Sequence, residues 1–564
     1  MTNGATLPSP PSWPARDADH LLVRGDQMAA LEAQLFASGL PVEALMEKAA
    51  LAISRRLLGA MARAGAGEGA MAGEGAMAGA EREAWATGRE GRGGLDRSAG
   101  VVVLVGPGHN GGDGLVVARE LHLAGVSVRL WCPFERRKPL TERHWAHARW
   151  LGIPALETAP DPEAPTLWID ALFGNGQSRP PGDAIEALLR KRERAAASPL
   201  VAIDVPTGLC GDSGRVLGRQ AARAALTLCV GLLKQGLAQD SALRWVGRLE
   251  RVDLGLPEAL LQTLPGDQPL GLGGPEVGQR DARQAPRPEL DPAAGKYARG
   301  RLLVIAGSEP YRGAAHLALA GASAAGVGSL RALVPPQVAE QLWMVLPHVV
   351  VETRPLADGA LDRLDAVLVG PGLGPRPDGE ETASPAGARE AWWDDLLGFP
   401  GLLVVDADGL NRLDPAWLGQ RQGPTWITPH AGEFRRLCPD LADQPPLEAA
   451  AAAARRCQAT VLLKGARSVI AAPDGRRWQL LEACGAAARA GLGDGLAGYA
   501  AGFGARFVGE PEASGLAVAA LDHALAGCET VRVRGQGGAN PLAVIQQLAH
   551  WPEPGSCGPG PSRL

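Results

Sequence analysis

The chain has 564 residues, including 75 Gly and 46 Pro, and its 56 Lys and Arg residues against 61 Asp and Glu residues give a net charge of −5. A chain of this length is too long to fold around a single hydrophobic core, so we expect two to four domains. The lack of a concentrated basic stripe argues against nucleic acid as a partner, and eight scattered cysteines without a C-x-x-C pair argue against a zinc site and a disulfide framework.

The amino-terminal region is polar and rich in proline over residues 1–20, which predicts disorder. Apolar residues at helical spacing between Met28 and Leu57 then predict two amphipathic helices, with Gly39 between them. Residues 62–98 repeat the sequence Gly-Glu-Gly-Ala-Met-Ala, and we interpret them as a flexible insertion without a site. The sequence shows no signal peptide and no run of 18 apolar residues, so we expect a cytoplasmic protein without a membrane span, and a homo-oligomer.

A continuous apolar run from Val101 to Val105 leads into the glycine-rich segment Gly106–Gly114, after which apolar residues resume at helical spacing. This order predicts a buried parallel strand, a turn and a helix. The turn would lie at the carboxyl end of a strand. Open α/β sheets bind ligands there, because the following helix offers free backbone N–H groups.

The same turn matches the dinucleotide fingerprint G-x-G-x-x-G through Gly106, Gly108 and Gly111, so an ordinary Rossmann site is the first alternative. That fingerprint needs an acidic residue at the end of the second strand, where this chain has Trp131-Cys-Pro. Asp113 also places a carboxylate where a pyrophosphate would lie. A P-loop is excluded because no Gly-Lys-Ser/Thr follows.

Two further predicted strands end in carboxylates, Thr166–Asp170 and Leu200–Asp204, and the second is followed by Thr207. An aspartate at a strand end is commonly structural when it occurs alone. Here three strand ends deliver several polar groups to one edge of a sheet: Asn110, Asp113, Asp170, Asp204 and Thr207. They supply only hard oxygen ligands, which suits potassium or magnesium and does not suit zinc.

These motifs, with Leu226-Thr-Leu and Lys234-Gln-Gly, resemble the NAD(P)H-hydrate epimerase domain over residues 20–255. The resemblance implies a Rossmann-like domain in which potassium (K+) is bound by Asn110, Asp170 and Thr207. Asp204 is our candidate acid/base. The hydrated nucleotide would contact Asp204 and the residues of two loops: His109, Asn110, Gly111, Gly112, Asp113, Gly174, Asn175, Gly176, Gln177, Ser178, Arg179 and Pro180. His109 and Thr207 depart from the family pattern, which has Asn and Ser.

Residues 256–295 are rich in Pro, Gly and Gln without apolar periodicity, which predicts a linker. Residues 296–550 again alternate strands with helices, so the predicted fold is α/β with two three-layer doubly wound domains. In the second domain, polar and glycine motifs follow several strands: Gly370–Gly374, Asp406-Ala-Asp408, Thr428-Pro-His-Ala-Gly-Glu433, Lys464-Gly and Gly491-Leu-Gly-Asp494.

The last motif, G-x-G-D at a helix start, frees N–H groups to hold a phosphate, and Asp494 can accept a proton from a hydroxyl. With the motifs before it, it resembles the ribokinase-like superfamily and its ADP- or ATP-dependent NAD(P)H-hydrate dehydratases over residues 296–505. The resemblance implies nucleotide contacts at Lys464, Gly465, Ala466, Arg467, Ser468 and Gly493. It implies hydrate contacts at Ala325, Gly374, His430 and Asp494. Leu492 and Cys484 depart from the family pattern, and little of the chain after residue 506 matches it.

Together the two resemblances imply a bifunctional repair enzyme for hydrated NADH and NADPH, called NADHX and NADPHX. It would interconvert their R and S epimers and dehydrate the S epimer. Asp494 would take the hydroxyl proton during phosphate transfer from ADP or ATP with Mg2+, with ADP favoured. The alternative is a ribokinase-like kinase of a vitamin precursor, fused to a scaffold or nucleotide-binding domain. The fused first domain and its retained strand-end residues argue against this alternative.

Overall fold

The computed structural model describes residues 13–65, 100–195, 198–274, 278–288, 292–354, 359–374, 392–413, 415–507 and 513–550. The flexible insertion predicted at 62–98 lies outside these ranges from residue 66 onward, and so does the tail after residue 550. The chain divides into two compact units, one formed by residues 16–268 and the other by residues 269–564 with 1–15. Both units are built on parallel sheets, which confirms the α/β class.

The strands of the first unit are β1 (Leu22–Val23), β2 (Val101–Val105), β3 (Val128–Trp131), β4 (Leu167–Ala171), β5 (Leu200–Ile203), β6 (Leu226–Val230), β7 (Leu233–Lys234) and β8 (Arg248–Val252). Its helices are α1 (Gly25–Ala37), α2 (Val42–Gly65), α3 (His109–Leu123), α4 (Pro139–Trp150), α5 (Asp183–Ala195), α6 (Leu243–Val246) and α7 (Glu258–Leu261), with 3-10 turns at Gln235–Ala238 and Asp240–Ala242.

Six strands of the first unit form a parallel sheet in the order β3-β2-β4-β5-β6-β8, and β1 pairs separately with β7. Val101 and Val103 point to the face covered by α2, α3 and α4, whereas Val102 and Leu104 point to the face covered by α5. Burial on both faces explains the unbroken apolar run of β2. The strand order reverses between β2 and β4, so a ligand crevice is expected at their carboxyl ends.

The strands of the second unit are β9 (Leu270–Leu272), β10 (Arg301–Ile305), β11 (Ser329–Leu333), β12 (Val350–Glu352), β13 (Ala366–Val369), β14 (Leu402–Val405), β15 (Thr425–Ile427), β16 (Thr460–Leu463), β17 (Val469–Ala471) and β18 (Arg477–Leu480). Its helices are α8 (Gly278–Gln284), α9 (Arg312–Ala324), α10 (Pro336–Val345), α11 (Trp392–Gly398), α12 (Pro415–Leu418), α13 (Ala431–Leu437), α14 (Pro446–Cys457), α15 (Leu492–Ala505), α16 (Ala513–Gly538, broken at Gly535) and α17 (Pro541–Ala549). Short 3-10 turns lie at Lys296–Arg299, Ala407–Arg412, Pro439–Leu441 and Gly485–Ala487.

These ten strands form one sheet in the order β12-β11-β10-β13-β14-β15-β16-β17-β18-β9. It is parallel from β12 to β16, and β17 then pairs antiparallel with both β16 and β18. Leu302 and Val304 face a core shared with α9, α15 and α16, whereas Leu303 and Ile305 face a core shared with α11 to α14. The unit is therefore three-layered, as predicted.

Two predictions about the chain outside the motifs, the linker and the disordered amino-terminal region, differ from the structure. The predicted linker 256–295 contains β9, which extends the second sheet by pairing with β18, because a three-residue edge strand leaves no periodic signal. Residues 513–549, within the predicted second domain, form α16 and α17, which bury apolar side chains such as Leu516 and Val544. Within residues 1–20, Trp13 is ordered and its ring N–H donates to the carbonyl of Asp281 at 3.1 Å.

Close packing between α9 and α15 depends on glycine, and it predicts one stability effect. A Cβ at Gly498 would lie 1.9 Å from the Ala318 carbonyl oxygen. We expect Gly498→Ala to lower the free energy of unfolding by about 1–3 kcal/mol, measured by urea denaturation. The matched control is Gly313→Ala on α9, where nothing lies within 4 Å of the added carbon. Equal destabilisation in the two variants would contradict the packing argument.

Candidate active sites

The glycine-rich turn after β2 lies tightly against the end of β4. A Cβ at Gly106 would lie 1.6 Å from the Leu172 carbonyl oxygen, and one at Gly111 would lie 2.0 Å from the Gly106 carbonyl oxygen. α3 already begins at His109, so the residues predicted as a loop form the first turn of this helix. Asn110 and Asp113 are therefore presented from a helix start at the carboxyl end of the sheet.

A buried pair of oxygen groups lies beside this turn. Asp170 and Thr207 are both fully buried, and the Thr207 hydroxyl donates to the Asp170 carboxylate at 2.7 Å while its backbone N–H donates at 2.9 Å. Burial raises the pKa of Asp170 to about 6, and the hydrogen bonds from Thr207 oppose this rise. The buried amide of Asn110 has no hydrogen-bond partner for either its oxygen or its nitrogen within the described residues.

The third strand end carries an ion pair. Lys234 Nζ lies 2.6 Å from Asp204 Oδ1, and the lysine side chain is only 2% exposed. The other carboxylate oxygen of Asp204 accepts from the Asn175 N–H at 2.8 Å. Asp204 has a φ of 66°, a backbone conformation that costs energy outside glycine and is often found at functional sites. Burial alone would lower the pKa of Lys234, but the charge and hydrogen bond of Asp204, together with Cys229 and Glu32, outweigh it and raise that pKa.

Two further carboxyl groups interact electrostatically with this ion pair. Burial raises the pKa of Glu32 on α1, and the negative charge of Asp204 raises it further. The pKa of Asp113 lies well above its ordinary value because of burial and the charges of Asp204 and Glu32. Three carboxyl groups, those of Glu32, Asp113 and Asp204, thus interact electrostatically with one ammonium group. No local sequence signal marks Glu32, which lies on an ordinary amphipathic helix, and the motif Lys234-Gln-Gly by itself does not indicate the ion pair of Lys234.

Several of the predicted substrate contacts meet at the loop after β4. A Cβ at Gly174 would lie 2.9 Å from Asp204 Oδ2 and 3.2 Å from the Asn110 side-chain carbon, so the three residues adjoin. Gln177 fixes the loop, since its amide oxygen accepts from the Gly208 N–H at 2.6 Å and its amide nitrogen donates to the Pro206 carbonyl. The other predicted residues, Gly176, Ser178, Arg179 and Pro180, are exposed farther along this loop.

A second cluster lies at the carboxyl ends of β14, β15 and β16. Asp406 is 1% exposed, and its Oδ1 accepts from Lys464 Nζ at 2.7 Å and from the Thr428 hydroxyl at 2.8 Å. Lys464 Nζ also lies 3.9 Å from Glu433. His430 caps α13. Its ring nitrogen Nδ1 accepts from the Gly432 N–H at 2.9 Å, and its backbone N–H donates to the Glu433 carboxylate at 2.8 Å.

The G-x-G-D motif joins this cluster from α15. Gly491 has a φ of 88°, which suits glycine at the turn that starts the helix. A Cβ at Gly493 would lie 3.3 Å from Lys464 Nζ, so the ammonium group lies between the turn and Asp406. Burial raises the pKa of Asp494 to about 6, the charge of Asp406 adds to the rise, and Lys464 opposes it. Asp494 is thus a carboxyl group whose proton is exchangeable near neutral pH.

Comparison with known proteins identifies the family of each unit. A family model described as NAD(P)H-hydrate dehydratase matches residues 302–549, and one described as YjeF-related protein N-terminus matches residues 42–236. A bifunctional NAD(P)H-hydrate repair enzyme of Gloeobacter violaceus is 41% identical over 491 residues, which cover 85% of this chain and 87% of that protein. The chain belongs to the bifunctional NAD(P)H-hydrate repair enzymes. We call residues 16–268 the epimerase unit and the other unit the dehydratase unit.

Further relatives of this repair enzyme extend over most of its length. The protein of the same name from Synechocystis is 38% identical over 524 residues, covering 90% of each chain. The ADP/ATP-dependent NAD(P)H-hydrate dehydratase from Bacillus subtilis, co-crystallised with ATP/Mg2+, is 25% identical with a TM-score of 0.41, covering 49% of this chain and 96% of that one. The names of the Gloeobacter and Synechocystis relatives favour the repair enzyme over the kinase alternative. The dehydratase match reaches residue 549, so the resemblance recognised over 296–505 was too short.

The structure contradicts one predicted hydrate contact of the repair enzyme. Ala325 follows the last residue of α9, a helix about 20 Å long, and its carbonyl accepts from Arg506 at 2.6 Å. Because α9 starts near the carboxyl end of β10, its far end lies at the opposite edge of the sheet. The resemblance placed this contact at the end of a helix with six alanines among its 13 residues, where sequence alone defines the register poorly. Ala325 therefore lies away from Asp494.

The remaining predicted contacts of the dehydratase unit do border the cluster. Gly374 has a φ of 76°, and its N–H donates to the Asp408 carboxylate at 2.9 Å. The charge of Asp408 contributes to the raised pKa of Asp494. The predicted nucleotide contacts from Gly465 to Ser468 form the turn between β16 and β17, directly after Lys464. Within the described residues, no helix is both long and apolar enough to cross a membrane.

Proposed function

We propose that this repair enzyme restores NADHX and NADPHX in two steps. The epimerase unit interconverts the R and S epimers, and the dehydratase unit removes water from the S epimer with ADP or ATP. The observation that carries this proposal is the carboxyl group of Asp494, held with raised pKa at the start of α15 beside the glycine turn and Lys464. It combines a proton acceptor with a phosphate-binding helix start.

In the dehydratase unit, Asp494 takes the proton of the substrate hydroxyl as that oxygen attacks the terminal phosphorus of the nucleotide. The amides of Gly491 to Gly493 hold the transferred phosphate, and Lys464 balances its charge. The lone pair of the ring nitrogen then expels the phosphate as the carbon–oxygen bond breaks, and loss of a ring proton restores the reduced nicotinamide. Asp494 is suited to this role because a base with a pKa near 6 is ionised at neutral pH.

A divalent cation, most simply Mg2+, would neutralise the phosphate charges during this transfer. The described residues contain no group of three or more His, Cys, Asp or Glu side chains placed to hold a metal ion. This arrangement fits Mg2+, which keeps several waters and binds through nucleotide phosphates and one or two carboxylates. Asp406 and Asp494 are the carboxylates of the cluster that could supply such contacts.

In the epimerase unit, a proton donor protonates the hydroxyl, which leaves as water while the lone pair of the ring nitrogen forms a carbon–nitrogen double bond. A proton acceptor then deprotonates a water molecule as its oxygen adds to the opposite face of that carbon, which inverts the centre. Asp204 is the proposed proton acceptor, and its Oδ1 lies 2.6 Å from Lys234 Nζ, which holds the carboxylate in place at the strand end. Asp113 lies near Asp204 and Glu32, and its raised pKa favours the protonated form, which suits a proton donor. The two residues come from different strand ends, so they can reach the substrate from different directions.

The buried oxygen groups beside this site fit K+, with Asn110, Asp170 and Thr207 as its ligands. The orphaned side-chain oxygen of Asn110 and the fully buried carboxylate of Asp170 lack a cationic partner within the described residues. All three side chains offer oxygen, the donor that alkali cations prefer. Bound there, K+ would supply positive charge near the nucleotide loop.

The cytoplasmic location and the homo-oligomer stay predictions from the sequence.

The assignment of Asp170 as a K+ ligand gives a prediction for the epimerase unit alone. We expect Asp170→Asn to lower the epimerase kcat/KM by about tenfold or more, a loss typical of disturbed metal sites, and to abolish its dependence on K+ concentration. The measurement is epimerase rate against KCl at constant ionic strength. Dehydration of the purified S epimer by the same variant is the control and should not change. A wild-type epimerase rate that is independent of K+ would contradict the assignment.

The experiment that tests the whole proposal mixes the protein with both epimers of NADHX and follows the absorbance of reduced nicotinamide. It is run with ADP, with ATP and with neither. We expect complete recovery with a nucleotide, because epimerisation feeds the S epimer as dehydration consumes it. Recovery that stops when the S epimer is spent would refute the epimerase step, and no recovery would refute the dehydratase step.

A further inference from the structure

Two thiols of the dehydratase unit adjoin each other outside the site described above. Cys484 lies between β18 and α15, and Cys528 lies on α16. The turn Gly485–Ala487 packs against this helix, since a Cβ at Gly527 would lie 3.5 Å from the Cβ of Ala487. Both cysteines are partly exposed, and because Cys484 directly precedes this turn and Cys528 directly follows Gly527, the packing of the turn on the helix brings the two thiols together.

The two thiols differ in how easily they ionise. The hydrogen bond from Cys528 lowers the pKa of Cys484 to about 6, burial opposes this, and the N–H groups of Ala487 and Ala486 lower it further. The pKa of Cys528 is raised, because its proton is shared with Cys484 and because of burial. At neutral pH the pair therefore contains one partly exposed thiolate beside one thiol. This is the arrangement of a peroxide-sensitive cysteine next to a resolving cysteine.

We propose that Cys484 and Cys528 form an oxidation site, at which a hydroperoxide converts the two thiols to a disulfide. The thiolate of Cys484 attacks a peroxide oxygen, so a sulfur–oxygen bond forms, the oxygen–oxygen bond breaks and hydroxide leaves. The sulfur of Cys528 then attacks the sulfur of Cys484, expels the second oxygen as water and gives up its own proton. Two thiols and one hydrogen peroxide yield one disulfide and two waters.

The position of this bond sets its physical effect. A link from residue 484 to residue 528 closes a loop that contains the phosphate-binding turn and all of α15. Closing a long loop removes conformational freedom mainly from the unfolded chain, so it stabilises the folded unit. A thiol reductant reverses the reaction, and the dithiol form is therefore the resting state in a reducing compartment.

The same unit contains a matched control. Cys438 and Cys457 also lie within hydrogen-bonding reach of each other, but both are fully buried. Proximity alone would predict that both pairs oxidise together. If access and thiolate character decide, the partly exposed pair oxidises first.

The test treats the full chain with hydrogen peroxide at pH 7, blocks free thiols, and maps disulfides by mass spectrometry without reduction. We expect a peptide linking Cys484 to Cys528, no link between Cys438 and Cys457, and loss of the new link with dithiothreitol. The oxidised dehydratase unit should melt roughly 5 °C or more above the reduced form. Cys528→Ser should abolish this shift, whereas Cys457→Ser should retain it.

Three results would overturn the proposal. The first is a dominant link between Cys438 and Cys457, or one that involves Cys557, which lies outside the described residues. The second is oxidation of Cys484 to sulfinic acid without a cross-link. The third is a mapped Cys484–Cys528 disulfide that leaves the melting temperature unchanged. The mapping uses the wild-type chain, so it holds even if a variant folds poorly.

Discussion

Asp494→Asn is expected to abolish nucleotide-dependent dehydration and to leave epimerisation at its wild-type rate. The amide cannot take the hydroxyl proton, and loss of a positioned general base typically costs about 10²- to 10⁴-fold in rate. The measurement is recovery of reduced nicotinamide from purified (S)-NADHX with ADP. Epimerisation by the same variant, followed as loss of the R epimer when an excess of a separate dehydratase is added, is the internal control.

The raised pKa of Asp494 separates a catalytic effect from an unfolding effect. The folded pKa is about 6, above the ordinary value, so ionisation of this carboxyl group at neutral pH favours the unfolded chain. Asn removes that penalty, and we expect the variant to melt at or above the wild-type temperature while inactive. Asp474→Asn, in the exposed ion pair with Arg476, should retain full activity. An Asp494→Asn variant that is inactive only because it unfolds would contradict the assignment.

The same pKa gives the direction of the pH dependence. Dehydration should fall as the pH decreases through about 6, because the protonated carboxyl group cannot accept the hydroxyl proton. The fall should be seen in kcat/KM, measured with (S)-NADHX at saturating ADP. A profile that stays flat from pH 7.5 to pH 5 would exclude Asp494 as the base.

Most of the site was predictable because strand ends in parallel sheets meet at one edge. Asp170 and Asp204 follow unbroken apolar runs, and the parallel pairing of β4 with β5, which sets Asp170 opposite Ala202, brings both strand ends to the same edge of the sheet. The dehydratase cluster follows the same rule, with Asp406 after β14 and Lys464 after β16. In each case the sequence shows both the strand and the polar residue that ends it, so no long-range information was needed.

Contacts between elements distant in sequence could not be predicted in this way. Glu32 interacts with the Asp204–Lys234 pair because α1 lies near the loop after β4, where the Asn175 amide donates to the Gly25 carbonyl at 3.1 Å. Nothing local to Glu32 indicates this position. Ala325 was misplaced for the opposite reason, because an alanine-rich helix offers many equivalent alignments. Local pattern thus located the strand ends, and packing decided which other side chains reach them.

Disrupting the Asp204–Lys234 pair is expected to abolish epimerase activity while dehydratase activity is retained. Asp204→Asn removes the proposed proton acceptor, so we expect a loss of about 10²- to 10⁴-fold in epimerisation. Recovery of reduced nicotinamide from the mixed epimers should then be incomplete, because it stops once the S epimer is consumed. Asp253→Asn, in a surface ion pair with Arg251, is the control and should behave as wild type.

Lys234→Met decides whether the pair is catalytic or only structural. It leaves the nearly buried carboxylate of Asp204 without its cation, and breaking such a pair typically costs about 3–5 kcal/mol in the free energy of unfolding. The double variant Asp204→Asn with Lys234→Met removes both charges, so it should recover most of this stability. A purely structural pair would recover epimerisation together with stability. We expect the double variant to fold and to remain inactive, because the site still lacks the group that takes the proton.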